Sequence, residues 1–196
     1  MKRFELTEAD VLRHIIRESP LATIVSLGSE GLAANHIPVH LRGDSLVGHM
    51  GRGNPLAQRD ASEVIAIFRA ADGYVSPAWY PGKAEHGRVV PTWNYVVAHA
   101  HGRLRVIDDA AWVRAQVEAL TDQQEGGSPH PWKVSDAPAD YVEKMLHAIV
   151  GFEIPIARLE GIRKASQNRE ERDRAGVKEG LASQGGAAAC AMARWI

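Results

Sequence analysis

The chain has 196 residues, 45% of them hydrophobic, which is enough to bury the core of one domain of ordinary size. A formal net charge of -1 and an isoelectric point near 6.8 give no global field that would draw it to nucleic acid or an anionic membrane. The single cysteine, Cys190, excludes an internal disulfide, no apolar run reaches the ~20 residues that span a bilayer, and the N-terminal MKRFELTEADVL lacks a signal-peptide pattern, so a soluble, cytoplasmic protein is expected.

In chain order, a helix is predicted over residues 7–18, with Thr7 as cap and Val11, Leu12, Ile15 and Ile16 on one face. LATIVSL (21–27) reads as a strand closed by the turn residues GSEG. GLAANHIPVHL and SLVGHM flank the RGD at 42–44, which reads as a hairpin turn rather than an adhesion motif. EVIAIF and GYVSPAWY are predicted as two further strands. VVPTWNYVVAHAHGRLRVI (89–107) is a long strand carrying unusual polar and aromatic residues. Short strands with tight links argue for an antiparallel sheet or barrel, not for βαβ units.

Beyond that strand the period changes. Trp112, Val113, Val117 and Leu120 recur at helical spacing behind Asp108 or Asp109, predicting a helix over 109–123. Residues 125–138 form a Gly-, Ser- and Pro-containing loop. A helix follows with Pro138 near its first turn and Val142, Met145, Leu146 and Ile149 inward. VGFEIPIARLEGI is one more strand and REERDRAGVKEGLA a charged helix. The organisation is a single domain over 1–184, with a small-residue tail at 185–196 whose order the composition does not define.

The chain has no G-x-S-x-G elbow, no phosphate loop of the G-x-x-x-x-G-K-[ST] type and no paired cysteine ligands. In GHMGRG (48–53) the glycines would let backbone amides and Arg52 approach a phosphate, although the order does not match a dinucleotide fingerprint. His99 and His101 share a strand face and could hold a metal with His36, His40 or His49, but hydrogen-bonded histidines on a sheet are the favoured reading, and no metal is assigned. Ser76 and Ser166 lack any sequence signal of a nucleophile beside a base. Arg163, Lys164, Arg169, Arg172 and Arg174 are interleaved with Glu170, Glu171 and Asp173, which fits an ion-paired helix face better than a nucleic-acid stripe. RKASQNRE (163–170) nevertheless gathers the donors that a phosphate dianion needs.

Taken together, PLATIVS, ANHIPVHL, GHMGRGNP, YVSPAWY, VPTWNYVVAHAHGRL, LTDQQE, PWKVSDAPADYVEKMLHAIVG and KASQNR…DRAGV resemble the PaiB-type FMN-binding negative transcriptional regulators. The likeness runs in order from residue 1 to about residue 181. It implies a mainly β fold with flanking helices: a six-stranded antiparallel split β-barrel of the flavin-reductase and pyridoxamine-oxidase class, working as a homodimer with FMN in the cleft between the copies. Where members of that family read G-K-W-K-L-S-Q-N, this chain has Gly161-Ile162-Arg163-Lys164-Ala165-Ser166-Gln167-Asn168. Either Arg163 substitutes for the missing cation as phosphate partner or the site is weaker.

The resemblance and the residues then nominate a cofactor site of His49, Arg52, Asn54, Ser76, Trp93, Asn94, Tyr95, Lys164, Ser166, Gln167 and Asn168. Arg52, Lys164, Ser166 and Gln167 are assigned to the phosphate. Trp93 and Tyr95 alternate onto one strand face as a wall for the ring, with Asn94 and Val96 facing the other way unless a bulge near Pro91 breaks the parity. Two functions stand side by side: a flavin-binding regulator, and an FMN-dependent oxidoreductase or flavin reductase with His36 or His99 as proton relay. A histidine-based metal or haem protein is a weaker third. With no recognition helix and no basic stripe, direct DNA binding is doubtful and membrane association is not expected.

Overall fold

Alternating burial shapes the strands of the computed structural model, which describes residues 2–196. The elements are β1 (Glu5–Leu6), α1 (Ala9–Glu18), β2 (Leu21–Gly28), β3 (Gly31–Arg42), β4 (Ser45–Gly51), β5 (Glu63–Val75), α2 (Lys83–His86), β6 (Thr92–Arg103), β7 (Arg105–Ile107), α3 (Ala110–Glu125), α4 (Ala139–His147), β8 (Ile149–Lys164), α5 (Glu171–Gln184) and α6 (Ala187–Ala193). Hydrogen bonding orders the strands β1-β8-β4-β3-β2-β5-β6, β7 pairs with β8, and β8 also pairs with β6. The six long strands with flanking helices are the mainly β, split-barrel class that the sequence led us to expect.

Two compact units make up the chain. The first comprises the chain up to Ser19, Phe68–His99 and Glu160–Ile196; the second comprises Pro20–Ile67 and Ala100–Leu159. In the first, α1 buries Leu12, Ile15 and Ile16, while α5 and α6 bury Val177, Leu181 and Met192. In the second, β2 pairs antiparallel with β3 and β5, β3 with β4, and β4 with β8. Its core is Ala22, Ile24, Val39, Leu46, Val47, Phe152 and Ile154, each wholly buried. Arg42 pairs with Ser45 across the RGD turn, and Gly43, the first of two turn residues, takes φ +59°, as a type II′ hairpin needs.

Several expectations shift locally. The first helix begins at Ala9, with Glu8 rather than Thr7 at the cap position and no side-chain cap bond. EVIAIF and GYV are one strand, β5, and SPAWY is not a strand. Pro77 has no N–H to give a ladder, and Ser76 Oγ accepts from Ala78 N at 3.2 Å to start a 3₁₀ turn over Pro77–Trp79. Met145, expected inward, is 41% exposed, because α4 turns only Val142 fully inward. Ile149 opens β8 instead of ending that helix. The tail contains α6, in which Ala189, Met192 and Ala193 are buried.

Candidate functional site

In the first unit, the start of β6 and the loop after β8 grip one another. Burial alternates along β6 without a break: Asn94, Val96 and Ala98 are wholly buried, while Trp93 is exposed and Tyr95 and His99 are half-buried on the other face. Asn94 Nδ2 donates to Ser166 Oγ at 2.8 Å, and Asn94 Oδ1 has no partner. Ser166 is 4% exposed and sits at φ +57°, a left-handed conformation that costs a residue with a Cβ about 1–2 kcal/mol. Gln167 ties the loop to itself: its Oε1 accepts from Ala165 N at 2.7 Å, and its Nε2 donates to the carbonyls of Arg163 and Arg3. Lys164 Nζ donates to Thr92 Oγ1 at 2.6 Å.

The charges around this loop are unevenly compensated. Arg172 forms a bidentate pair with Glu85 and reaches Glu170; these bonds hold the Glu85 carboxyl below its usual range and raise the guanidinium. By contrast, Arg163, Lys164 and Arg169 have no carboxylate partner among the described residues. Arg169 lies over the Tyr80 ring at 5.0 Å, and Asn168 is exposed on the loop. Trp93 Nε1 donates to Asp72 at 3.0 Å, and its ring meets Tyr74 edge-on at 6.1 Å. The structure therefore brings Asn94, Lys164, Ser166 and Gln167 together, with Asn168 beside them and Trp93 and Tyr95 on the opposite face of β6.

The second unit carries His36, His49, Arg52 and Asn54. His49 Nδ1 donates to Oε1 of Gln116 at 2.7 Å. Gln116 escapes a reading of the sequence; its signal is a polar residue three beyond the buried Val113 on α3, and it is 2% exposed with Nε2 unpartnered. Arg52 makes a two-bonded pair with Asp108 at 2.6 and 2.8 Å and donates to the carbonyls of His147 and Ile149, where α4 ends. Their shared bonds push Asp108 down and Arg52 up from their ordinary values. Asn54 Oδ1 accepts from Leu56 N at 2.8 Å and caps a short turn. His36 shares a hydrogen bond with Thr23 Oγ1 at 3.1 Å, and burial, then Arg42, lowers the neighbouring His40. Among the described residues no group of three His, Cys, Asp or Glu could hold a metal ion, and no helix is long and apolar enough to cross a membrane.

A family model described as "Putative FMN-binding domain" matches residues 1–158. An uncharacterised protein of Emericella nidulans is 32% identical over 220 residues, covering 91% of this chain and 88% of the relative. The protease synthase and sporulation protein PAI 2 of Bacillus subtilis is 26% identical over 189 residues, covering 93% and 88%. Among solved structures, the FAD and heme binding protein from Mycobacterium smegmatis matches with a TM-score of 0.65 at 21% identity, covering 94% of this chain and 81% of that one. The flavocytochrome Anf3 from Azotobacter vinelandii gives 0.66 at 16% identity, covering 88% and 75%. The two structural likenesses show the fold.

Proposed function

The chain belongs to the FMN-binding domain family, and from that premise we propose that it binds the FMN phosphate on the loop after β8, with the ring against Trp93 and Tyr95. The observation that carries this reading is the uncompensated charge of Arg163, Lys164 and Arg169 around a loop locked by buried bonds. A phosphate dianion needs positive charge and several N–H donors with fixed directions, and a left-handed residue within a turn presents neighbouring backbone amides to an anion. These residues fit that need. Bound FMN supplies hydride and electron chemistry; the chain supplies binding, orientation and protons. Arg52, tied to Asp108 and the end of α4, is assigned to holding that corner together rather than to the phosphate. Ser76 and Asn54 cap turns, and Ser166 and Gln167 shape the loop.

For biological role, we favour an FMN-responsive regulator that acts through a partner or a metabolite. PAI 2 is a sporulation protein by name, which supports a regulatory context. The formal charge of -1, and the pairing of Arg172 with Glu85 and Glu170, speak against a DNA-reading face on α5. Purified protein should therefore bind duplex DNA weakly and with a shallow salt slope. A tight, sequence-selective gel shift by the protein alone at physiological salt would overturn this. The oxidoreductase reading rests on His99, half-buried on the same face of β6 as Trp93 and Tyr95, as the group that would hold a proton at the ring edge. NADH- or NADPH-driven bleaching of bound FMN would favour it.

The same reading requires a second copy. Leu21, Leu27 and Leu32 on β2 and β3 are 61%, 67% and 76% exposed, an apolar face that a monomer would leave wet. Light scattering should give a dimer mass, and the pair Leu27→Glu and Leu32→Glu should shift it to a monomer, because two charges would then be buried without partners. A monomer mass for the unmodified protein in saturating FMN contradicts the cleft.

A further inference from the structure

We infer that Asn94 is a positioning residue: it acts through Ser166 to keep the loop after β8 in its anion-binding shape and touches no ligand itself. This rests on the phosphate reading proposed above. Asn94 is wholly buried in a row with Val96 and Ala98, where an apolar side chain would pack without cost. Instead the fold buries an amide whose Oδ1 has no partner, a net loss unless the amide does something else.

What it does is hold the Ser166 hydroxyl at 2.8 Å. Ser166 is the residue whose backbone stands at φ +57°, in a conformation that glycine would adopt freely. Two unfavourable features, an orphaned buried oxygen and a left-handed serine, thus meet in one contact. Backbone strain of this kind persists only where its surroundings over-determine it, and it concentrates at ligand clamps.

The same strand end repeats the arrangement with Lys164. Thr92, two residues before Asn94, accepts from Lys164 Nζ at 2.6 Å. A hydroxyl partner aims the ammonium without neutralising it, so its charge stays available to an anion, whereas a carboxylate would cancel it. Strand β6 therefore sets both the shape of the loop and the direction of its cation, from positions that are themselves covered. Neither Asn94 at 0% exposure nor Ser166 at 4% offers its side chain to a ligand, which leaves that contact to Lys164 and to the exposed Arg163 and Asn168.

The test uses Asn94→Leu, which keeps the branched shape with somewhat larger methyl groups and removes the bond, and Ser166→Ala, which removes the hydroxyl and keeps the Cβ and its left-handed strain. Calorimetry with FMN and with riboflavin, thermal melting, and hydrogen exchange of the amides of residues 165–169 are measured on each. Both variants should weaken FMN by about ten-fold, leave riboflavin unchanged and speed exchange in the loop. A folded Asn94→Leu that binds FMN as the unmodified protein does, with loop exchange unaltered, overturns the inference and makes Asn94 an ordinary core residue. Equal weakening of FMN and riboflavin overturns it too, since Asn94 would then bear on the ring or ribityl chain. If Asn94→Leu fails to fold, Ser166→Ala decides between the same outcomes alone, because its Cβ still needs the loop to be held in place. Lys164→Ala separates the two levels: if it does not discriminate FMN from riboflavin, the phosphate lies elsewhere and the parent reading fails; if it does and the Asn94 and Ser166 variants do not, only this inference fails.

Discussion

Lys164→Ala should weaken FMN binding by about ten- to a hundred-fold and leave riboflavin binding nearly unchanged. The two ligands differ by one dianionic phosphate, so their comparison isolates whatever the ammonium does for that group. A charge-assisted hydrogen bond contributes roughly 1.5–3 kcal/mol, which converts to the stated range. Arg163 and Arg169 remain in the variant and keep part of the local positive charge, which pulls the expected loss toward the lower end. Thr92, whose hydroxyl accepts from Lys164, would still be there, so the strand and the loop should keep their shape. Calorimetry on both proteins with both ligands forms a four-cornered cycle in which the phosphate–lysine coupling is the non-additive part. Equal weakening of riboflavin and FMN would show that Lys164 is not a phosphate ligand and that the phosphate lies elsewhere. Arg52→Ala is the informative control: with its guanidinium bound to Asp108 and to the carbonyls at the end of α4, it should lower stability without separating the two ligands.

How far the sequence reaches depends on whether a feature is local. The alternation of Trp93, Asn94, Tyr95 and Val96 is a property of consecutive residues on a pleated strand, and the structure keeps it without a bulge. The RGD hairpin, and the helix capped by Asp109, whose carboxylate accepts from Trp112 N at 2.7 Å, are equally legible, since each signal lies within four residues. SPAWY misleads because its aromatic and β-type residues outweigh, in a propensity reading, one proline and one capping serine. Met145 follows the helical period correctly, but the period does not say how much of a helix face its neighbours cover. The partners of the candidate site are out of reach for a different reason. Asp108 on Arg52, Gln116 on His49 and Asn94 on Ser166 are separated by 56, 67 and 72 residues, and no spacing rule connects them. Residue types therefore nominate Arg52 and Ser166 as phosphate donors, whereas the fold gives both side chains other partners.

The largest stability effect should come from Phe152. Its side chain is wholly buried, and in the β4–β8 register Phe152 stands opposite Gly48. That glycine is a packing requirement: a Cβ at position 48 would lie 2.6 Å from Phe152 Cζ and 3.0 Å from the Pro38 carbonyl oxygen. Phe152→Ala removes the ring, leaves a cavity, and should cost about 3–5 kcal/mol, a large part of the roughly 5–15 kcal/mol that holds a domain together. Gly48→Ala in the unmodified protein should cost about 1–3 kcal/mol through overpacking, because the ring is enclosed and cannot swing away. In the Phe152→Ala background the sign reverses. The methyl at position 48 then enters space the ring has vacated and restores part of the lost contact. Recovery stays partial, since the Pro38 carbonyl remains close and one methyl is much smaller than a phenyl ring. Denaturant unfolding of the four proteins measures this, with midpoints compared at unchanged slope. Additive losses in the double variant would mean that the ring does not occupy the space above Gly48, and that β4 and β8 pack differently at that point.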